Sequence, residues 1–188
     1  MQARADAAAE TGERILDAAI GIFYEKPVDN IPLEEVARRA GVTVQTVIRR
    51  YGGKDGLFNA AAEREYKRIA SHRDQSKADD VTGALRILLD HYEEVGDGVL
   101  RMLAEEQRIT AVSRILDQGR AYHEQWCERV FAQALTGRKG AEWKRRLAQL
   151  IAITDVSTWR LLRRYRGLSR RQTELALHEL LQPWIGGQ

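Results

Sequence analysis

Glycines at 41 and at 52 and 53 leave room between them for only one short helix, and the residues TVQTVIRRY, Thr43 to Tyr51, are patterned as one. The Thr43 hydroxyl can cap its start by accepting from a first-turn backbone N–H, and Gly52-Gly53 ends it. At about 100° per residue, Val44, Val47, Ile48 and Tyr51 share one arc, and Gln45, Thr46, Arg49 and Arg50 share the opposite one. The first arc is expected to be core. The second holds two guanidiniums, an amide and a hydroxyl, the groups that reach phosphates and base edges in a DNA groove. No acid interrupts it before Asp55.

The segment PLEEVARRA, from Pro32 to Ala40, places Leu33, Val36, Ala37 and Ala40 at the i, i+3, i+4, i+7 spacing of a helical stripe, opened by Pro32 in its first turn. Gly41-Val42 then makes a tight turn. Two short helices joined in this way form a helix-turn-helix, whose second helix enters the major groove. With RILDAAIGIFYEK before it and TVIRRYGGKDGLF after it, the stretch from Arg14 to Phe58 resembles the N-terminal DNA-binding domain of the TetR family of transcriptional repressors. Pro32 stands where that family has Ser or Thr, and Ile48 where it has Tyr. The resemblance implies a phosphate contact from Lys54, whose charge opposes the dipole of the helix it opens. Thr43, Gln45, Thr46, Arg49, Arg50 and Lys54 are therefore the candidate DNA-binding residues. Arg4 and Arg14 are lesser candidates near the backbone.

The chain of 188 residues is long enough to bury a proper core. Its net charge of +3 is only a weak hint of a polyanionic partner, because a local basic patch, not net charge, binds DNA. Cys127 is the only cysteine, which suits a reducing cytoplasm. The N-terminus lacks a signal-like apolar core, and no run of apolar residues is long enough to span a membrane. A soluble cytoplasmic protein without membrane partners is expected.

The fold class expected is all-α, with about nine helices in two domains: residues 1–54 as the helix-turn-helix domain, and 55–188 as a helical domain for ligand sensing and dimerisation. A first helix over Thr11–Lys26 buries Ile15, Ala18, Ala19, Ile22 and Phe23. A fourth begins at Lys54. Ser71–Asp80 reads as a loop, Val81–Gly96 as a helix followed by a short one capped at Asp97, and Thr110 onward as another carrying Trp126 and Ala134. Ala141–Arg166 reads as one long helix. Ser169 and Gln172 form a capping box for the last.

The larger domain has the aromatic, adaptable side chains of a small-molecule site in His91, Tyr92, Met102, His123, Trp126 and Trp159, suited to an apolar or cationic effector. The effector's identity is not legible. Leu147, Leu150, Ile151, Leu177, Leu181 and Trp184 are candidates for a homodimer interface built as a four-helix bundle, as the resemblance implies. Six arginines between 160 and 171 read as a solvated rim with local ion pairs. The four histidines are dispersed, so no metal or cofactor is expected, and no catalytic residue declares itself: Gly53-Lys54 lacks the Ser or Thr of a phosphate-binding loop, and there is no nucleophile elbow. The reading is a dimeric regulator, a repressor released by a ligand from a near-palindromic operator of double-stranded DNA. Two others stay open: a helical small-molecule carrier whose N-terminal domain does not bind DNA, and a small helical enzyme using His91 or His123.

Overall fold

A computed structural model describes residues 2–27 and 31–185, with side chains from residue 6 onward. The side chain of Arg4 thus lies outside the described residues. All regular structure described is helical: α1 Gln2–Glu25, α2 Leu33–Ala40, α3 Val44–Tyr51, α4 Lys54–Arg73, α5 Val81–Glu105, α6 Thr110–Val130, α7 Ala132–Leu135, α8 Gly140–Thr154, α9 Val156–Arg160 and α10 Arg170–Ile185, with a π-helical turn over Leu161–Tyr165. No helix is long and apolar enough to cross a membrane among the described residues. Two compact units divide the chain, Met1–Arg68 with Arg101–Ile115, and Ile69–Leu100 with Leu116–Gln188. Compactness therefore draws its line elsewhere than after Lys54: the first turns of α4 and the stretch from Arg101 belong with the N-terminal helices.

In the first unit, Ile15, Leu16, Ala19 and Ile22 of α1 meet Val36, Ala37 and Ala40 of α2, Val47 of α3, and Leu57 and Ala61 of α4. Each fully buried Ile or Val contributes about 1.5–3 kcal/mol through the apolar area it removes from water. Phe23 and Ala18 only border this core, and Phe23 lies against Phe58 with ring centroids 5.3 Å apart. α1 begins well before Thr11, since the alanine-rich start continues the helix. Polar ties fix α1 to its neighbours: the Tyr51 hydroxyl donates to the Gly12 carbonyl at 3.1 Å, the Tyr24 hydroxyl donates to Glu65 at 2.9 Å, and Arg64 bonds Glu13 at 2.7 Å and also Asp17.

In the second unit, three expected boundaries move. Gly96 does not stop α5. It makes room for a ring instead, because a Cβ there would stand 2.6 Å from Cζ3 of the buried Trp159. Asp155 does break the expected long helix: its backbone is extended at φ −71°, ψ 152°, and its carboxylate accepts from the Ser157 N–H at 2.8 Å, starting α9. α4 runs through Arg73, so the loop is shorter than Ser71–Asp80. The capping box of α10 forms as expected, Ser169 N–H donating to Gln172 Oε1 and Gln172 N–H to Ser169 Oγ, both at 3.2 Å. The arginine rim is also ion-paired: Arg163 with Glu93 at 2.6 Å, Arg164 with Asp97 at 2.9 Å and Arg170 with Asp90 at 2.6 Å.

Leu147, Leu150, Leu177 and Leu181 are at most 3% exposed within this single chain. They pack in their own unit and present no surface to a second copy, a correction to their expected place in an interface. Ile151 and Trp184 stay half-exposed, the latter under the guanidinium of Arg146 at 4.0 Å. Leu175 and Leu180 of α10 are the leucines left about half in solvent there.

Candidate nucleic-acid interface

α2 and α3 owe their geometry to left-handed glycines and one threonine. Gly41 adopts φ 67°, ψ 38°, which lets the turn close without the steric cost of a Cβ. Pro32 sits just before α2 as its N-cap, not inside its first turn, and supplies no side-chain cap. Thr43 caps α3: its hydroxyl accepts from the Thr46 N–H at 3.2 Å and shares a 2.9 Å hydrogen bond with the Thr46 hydroxyl. Gly52, at φ 76°, ends the helix and returns its N–H to the Ile48 carbonyl at 2.7 Å.

α3 is anchored by Val47, which is fully buried, with Val44 and Tyr51 packed against the same core. Gln45, Arg49, Arg50, Thr43 and Lys54 are exposed and Thr46 is half-buried. Ile48 departs from its expected place in the core and is 38% exposed; on an eight-residue helix with Val47 innermost, the next residue is turned a quarter-circle away. Arg50 does not stretch into solvent. Its guanidinium lies on the bare α-carbon of Gly12, where a Cβ would meet Nη2 at 2.3 Å, and its Cζ is 6.0 Å from the Tyr51 ring centroid.

The arginines of α2 are paired with carboxylates, whereas those of α3 are not. Arg39 bridges Glu25 at 2.7 Å and Glu35 at 2.9 Å, and Arg38 binds Glu35 at 3.0 Å. Hydrogen bonds from Arg39 hold the Glu25 and Glu35 carboxyls below their ordinary pKa, with Arg38 adding to the effect on Glu35. Among the described residues no carboxylate pairs with Arg49 or Arg50. A short helix thus shows an amide, a guanidinium and an isoleucine side by side, with a second guanidinium at its edge and Lys54 at the start of the next helix.

The expected effector residues are all buried, but not as one group. Met102 falls in the first unit. In the second, Tyr92 lies between His91 and Trp159, with centroids 5.3 and 6.0 Å away, and its hydroxyl donates to the Thr154 carbonyl at 2.9 Å. His123 stacks on Trp126 at 5.6 Å. Thr154 joins the two sets, its hydroxyl 3.1 Å from His123 Nε2. At their centre is a residue that falls in the loop expected from the sequence: Arg73, 3% exposed, whose Nη2 donates to His123 Nδ1 at 2.8 Å. The available signal was its period, because Tyr66, Ile69 and Arg73 continue the apolar face of α4 at steps of three and four.

With Nδ1 accepting from Arg73, neutral His123 carries its proton on Nε2 and donates to Thr154, whose hydroxyl donates onward to the Leu150 carbonyl at 2.8 Å. Burial, helped by the Arg73 charge, pushes the His123 pKa down to about 3. Burial also raises the Cys127 thiol to about 11, so it stays an inert hydrophobe in this cluster. No group of three or more His, Cys, Asp or Glu side chains converges as a metal site would require, among the described residues.

Comparison with known proteins gives this arrangement a context. Residues 15–61 match the family described as "Bacterial regulatory proteins, tetR family". Over 53 residues, 28% of the chain, the sequence is 42% identical to the HTH-type transcriptional regulator SrpR of Pseudomonas putida and, equally, to the uncharacterized HTH-type transcriptional regulator TtgW of the same species. Those matches span 25% and 40% of the two relatives' own length. The fold is shared much more widely. A transcriptional regulator from Saccharomonospora viridis solved in complex with choline superposes with a TM-score of 0.71 over 93% of this chain and 96% of that one, at 15% identity. The SmeT–triclosan complex does so at 0.66 over 92% and 90%, at 21% identity.

Proposed function

We propose that this chain, whose residues 15–61 belong to the tetR family of bacterial regulatory proteins, is a DNA-binding transcriptional regulator of the cytoplasm, not an enzyme, and acts as a homodimeric repressor relieved by a small molecule. The observation that carries the reading is α3: a capped helix seated through Val47, with Gln45 and Arg49 exposed and no carboxylate paired to its arginines among the described residues. Gln45 and Arg49 are assigned to base edges in the major groove, where a bidentate Arg–guanine contact is the commonest specific one. Ile48, exposed between them, suits the methyl group of a thymine. Thr43, Thr46, Arg50 and Lys54 are assigned to the phosphate backbone, which sets register without reading sequence.

Two reading helices reach one face of a duplex when they sit about 34–36 Å apart, so a dimer implies a near-palindromic operator. Leu175 and Leu180, about half exposed, and the half-buried Ile151 and Trp184 are apolar side chains of α8 and α10 still available for a twofold contact. The buried aromatic and polar cluster around Tyr92, His123, Trp126 and Trp159 is assigned to the effector, a role favoured by the like-folded regulators solved with triclosan and with choline. An effector acts by binding the DNA-free conformation better than the DNA-bound one.

Selection of bound fragments from random double-stranded DNA by the purified protein tests the reading. Enrichment of a near-palindrome with half-sites one helical turn apart is expected. Failure to bind any duplex in a salt-dependent way leaves the carrier reading in its place.

A further inference from the structure

We propose that Arg73 is the counter-charge of an anionic effector, an organic carboxylate that docks on the guanidinium beside Tyr122 and Trp126. Arg73 closes α4 within the second unit and is 3% exposed. Its Cζ lies 4.4 Å from the Trp126 ring centroid and 5.3 Å from that of Tyr122. Nη2 reaches only a neutral acceptor, His123 Nδ1 at 2.8 Å, and Nε is buried without any hydrogen-bond partner. No carboxylate pairs with Arg73 among the described residues. The acid next to it, Asp74, is turned elsewhere, accepting from the Tyr122 hydroxyl at 2.9 Å and from Arg129 at 2.8 Å.

A charge taken out of water without a counter-ion is among the costliest things a fold can hold. Aromatic faces and a neutral imidazole return only part of that cost. A core arginine serving structure alone is normally saturated by carbonyls or carboxylates. Here Nε–H keeps its full donor capacity, and Nη2 keeps a hydrogen beyond the one given to His123. A planar fork of this kind matches a carboxylate's two oxygens. The polar side chains nearest the guanidinium add no negative charge that would repel such a ligand: His123 is neutral, Cys127 is held as a thiol and Thr154 is uncharged, while the nearby Asp74 carboxylate is already matched by Arg129. They do exclude the cationic effector that the aromatic residues suggested by themselves, because a cation already occupies the Trp126 face.

The inference rests on the ligand-responsive reading above and names the class of that ligand. Its test uses the full chain without DNA, so it is separable from the operator selection: a missing operator defeats the DNA reading and leaves the anion site untouched. Isothermal titration with benzoate, 4-phenylbutyrate and decanoate, each against its primary amide and its ammonium counterpart, supplies three apolar bodies with three head groups. At least one carboxylate is expected to bind about tenfold or more tighter than its amide, with no ammonium binding. Arg73→Met, similar in length but uncharged, is expected to lower that carboxylate to the affinity of the amide, and Arg73→Lys to keep part of the preference. A structural role alone would leave the carboxylate-to-amide ratio unmoved. Equal affinity for acid and amide, preference for an ammonium, no binding by any probe, or a carboxylate preference that survives Arg73→Met overturns the proposal. Where Arg73→Met does not fold, the head-group series on the unaltered protein decides.

Discussion

Arg49 and Arg73 each lack a carboxylate partner among the described residues, but they do so on opposite sides of the protein surface. Arg49 stands in solvent on α3, where water solvates its charge at no cost to the fold and its donors are available to a polyanion. Arg73 is buried beneath Trp126 and Tyr122, where the same charge is a liability unless something answers it. The difference shows how an unpaired arginine is to be weighed. Outside, it signals a surface that works by electrostatic attraction; inside, it signals a missing partner.

The contrast breaks first where packing is removed. Trp126 is fully buried, stacked on His123 and set edge-on to Phe131 at 5.9 Å, with its Nε1–H donating to Ser76 at 3.2 Å. Trp126→Ala is expected to lower unfolding free energy by about 3–5 kcal/mol, read as a shift in urea midpoint. Arg49→Ala is expected to leave that midpoint within about 0.5 kcal/mol of the original. A comparable loss in both variants would mean that α3 is not a free surface at all.

DNA titrations sharpen the exposed side. Against the selected operator, Arg49→Ala should cost about 1–3 kcal/mol and relax preference at one base position. Lys54→Ala should weaken all sequences alike and reduce the slope of log affinity against log salt by about 1. An Arg49→Ala variant that loses affinity evenly across sequences, in the manner of Lys54→Ala, would move Arg49 from base to backbone.

The buried side answers to pH. In the folded protein His123 takes up a proton only near pH 3, because burial and Arg73 depress its pKa from the ordinary 6.5. The unfolded chain takes one up near 6.5. Above that value both states hold the imidazole neutral and it contributes no pH dependence; as pH falls from about 6.5 toward 3, the unfolded state gains protons first and stability drops by at most about 1.4 kcal/mol per unit. His123→Asn, which keeps an acceptor near the Nδ1 position, should flatten this part of the profile relative to the unaltered protein in thermal melts across about pH 4–7. Identical profiles would show that His123 takes up its proton at the same pH in the folded and unfolded states, and with it that neither burial nor Arg73 acts on it.

How far each region can be read from the sequence follows the same division. The all-helical class and the α3 surface are legible because an exposed face and a buried face repeat at fixed angular steps; only Ile48, on the border of the two arcs, falls on the wrong one. The second unit is harder. Gly96 carries the same letter whether it ends a helix or admits the ring of Trp159, and only the partner from a distant helix distinguishes the cases. Asp155 caps α9 in the middle of an uninterrupted apolar stripe, so periodicity passes over it. Arg73 reads as part of a polar loop because burying a guanidinium is costly, and the same cost is what makes its burial informative.

The smallest expected effect tests how Arg50 is held at the edge of α3. Gly12 is in the middle of α1, where alanine is favoured over glycine by about 0.8–1.0 kcal/mol. Its hydrogen-only face accommodates the Arg50 guanidinium, and an added Cβ would fall within 2.3 Å of Nη2. That obstacle is the far end of a flexible side chain, which can swing aside. Gly12→Ala is therefore expected to raise the urea midpoint by up to about 1 kcal/mol while displacing Arg50 and altering its contribution to DNA affinity. At Gly96 the obstacle is the buried Trp159 ring, which has nowhere to go, so Gly96→Ala should instead lower stability by about 1–3 kcal/mol. Opposite signs at two helical glycines would establish that Arg50 is a movable surface group, as a phosphate contact needs to be; a loss at both would make Arg50 a fixed part of the packing between α1 and α3.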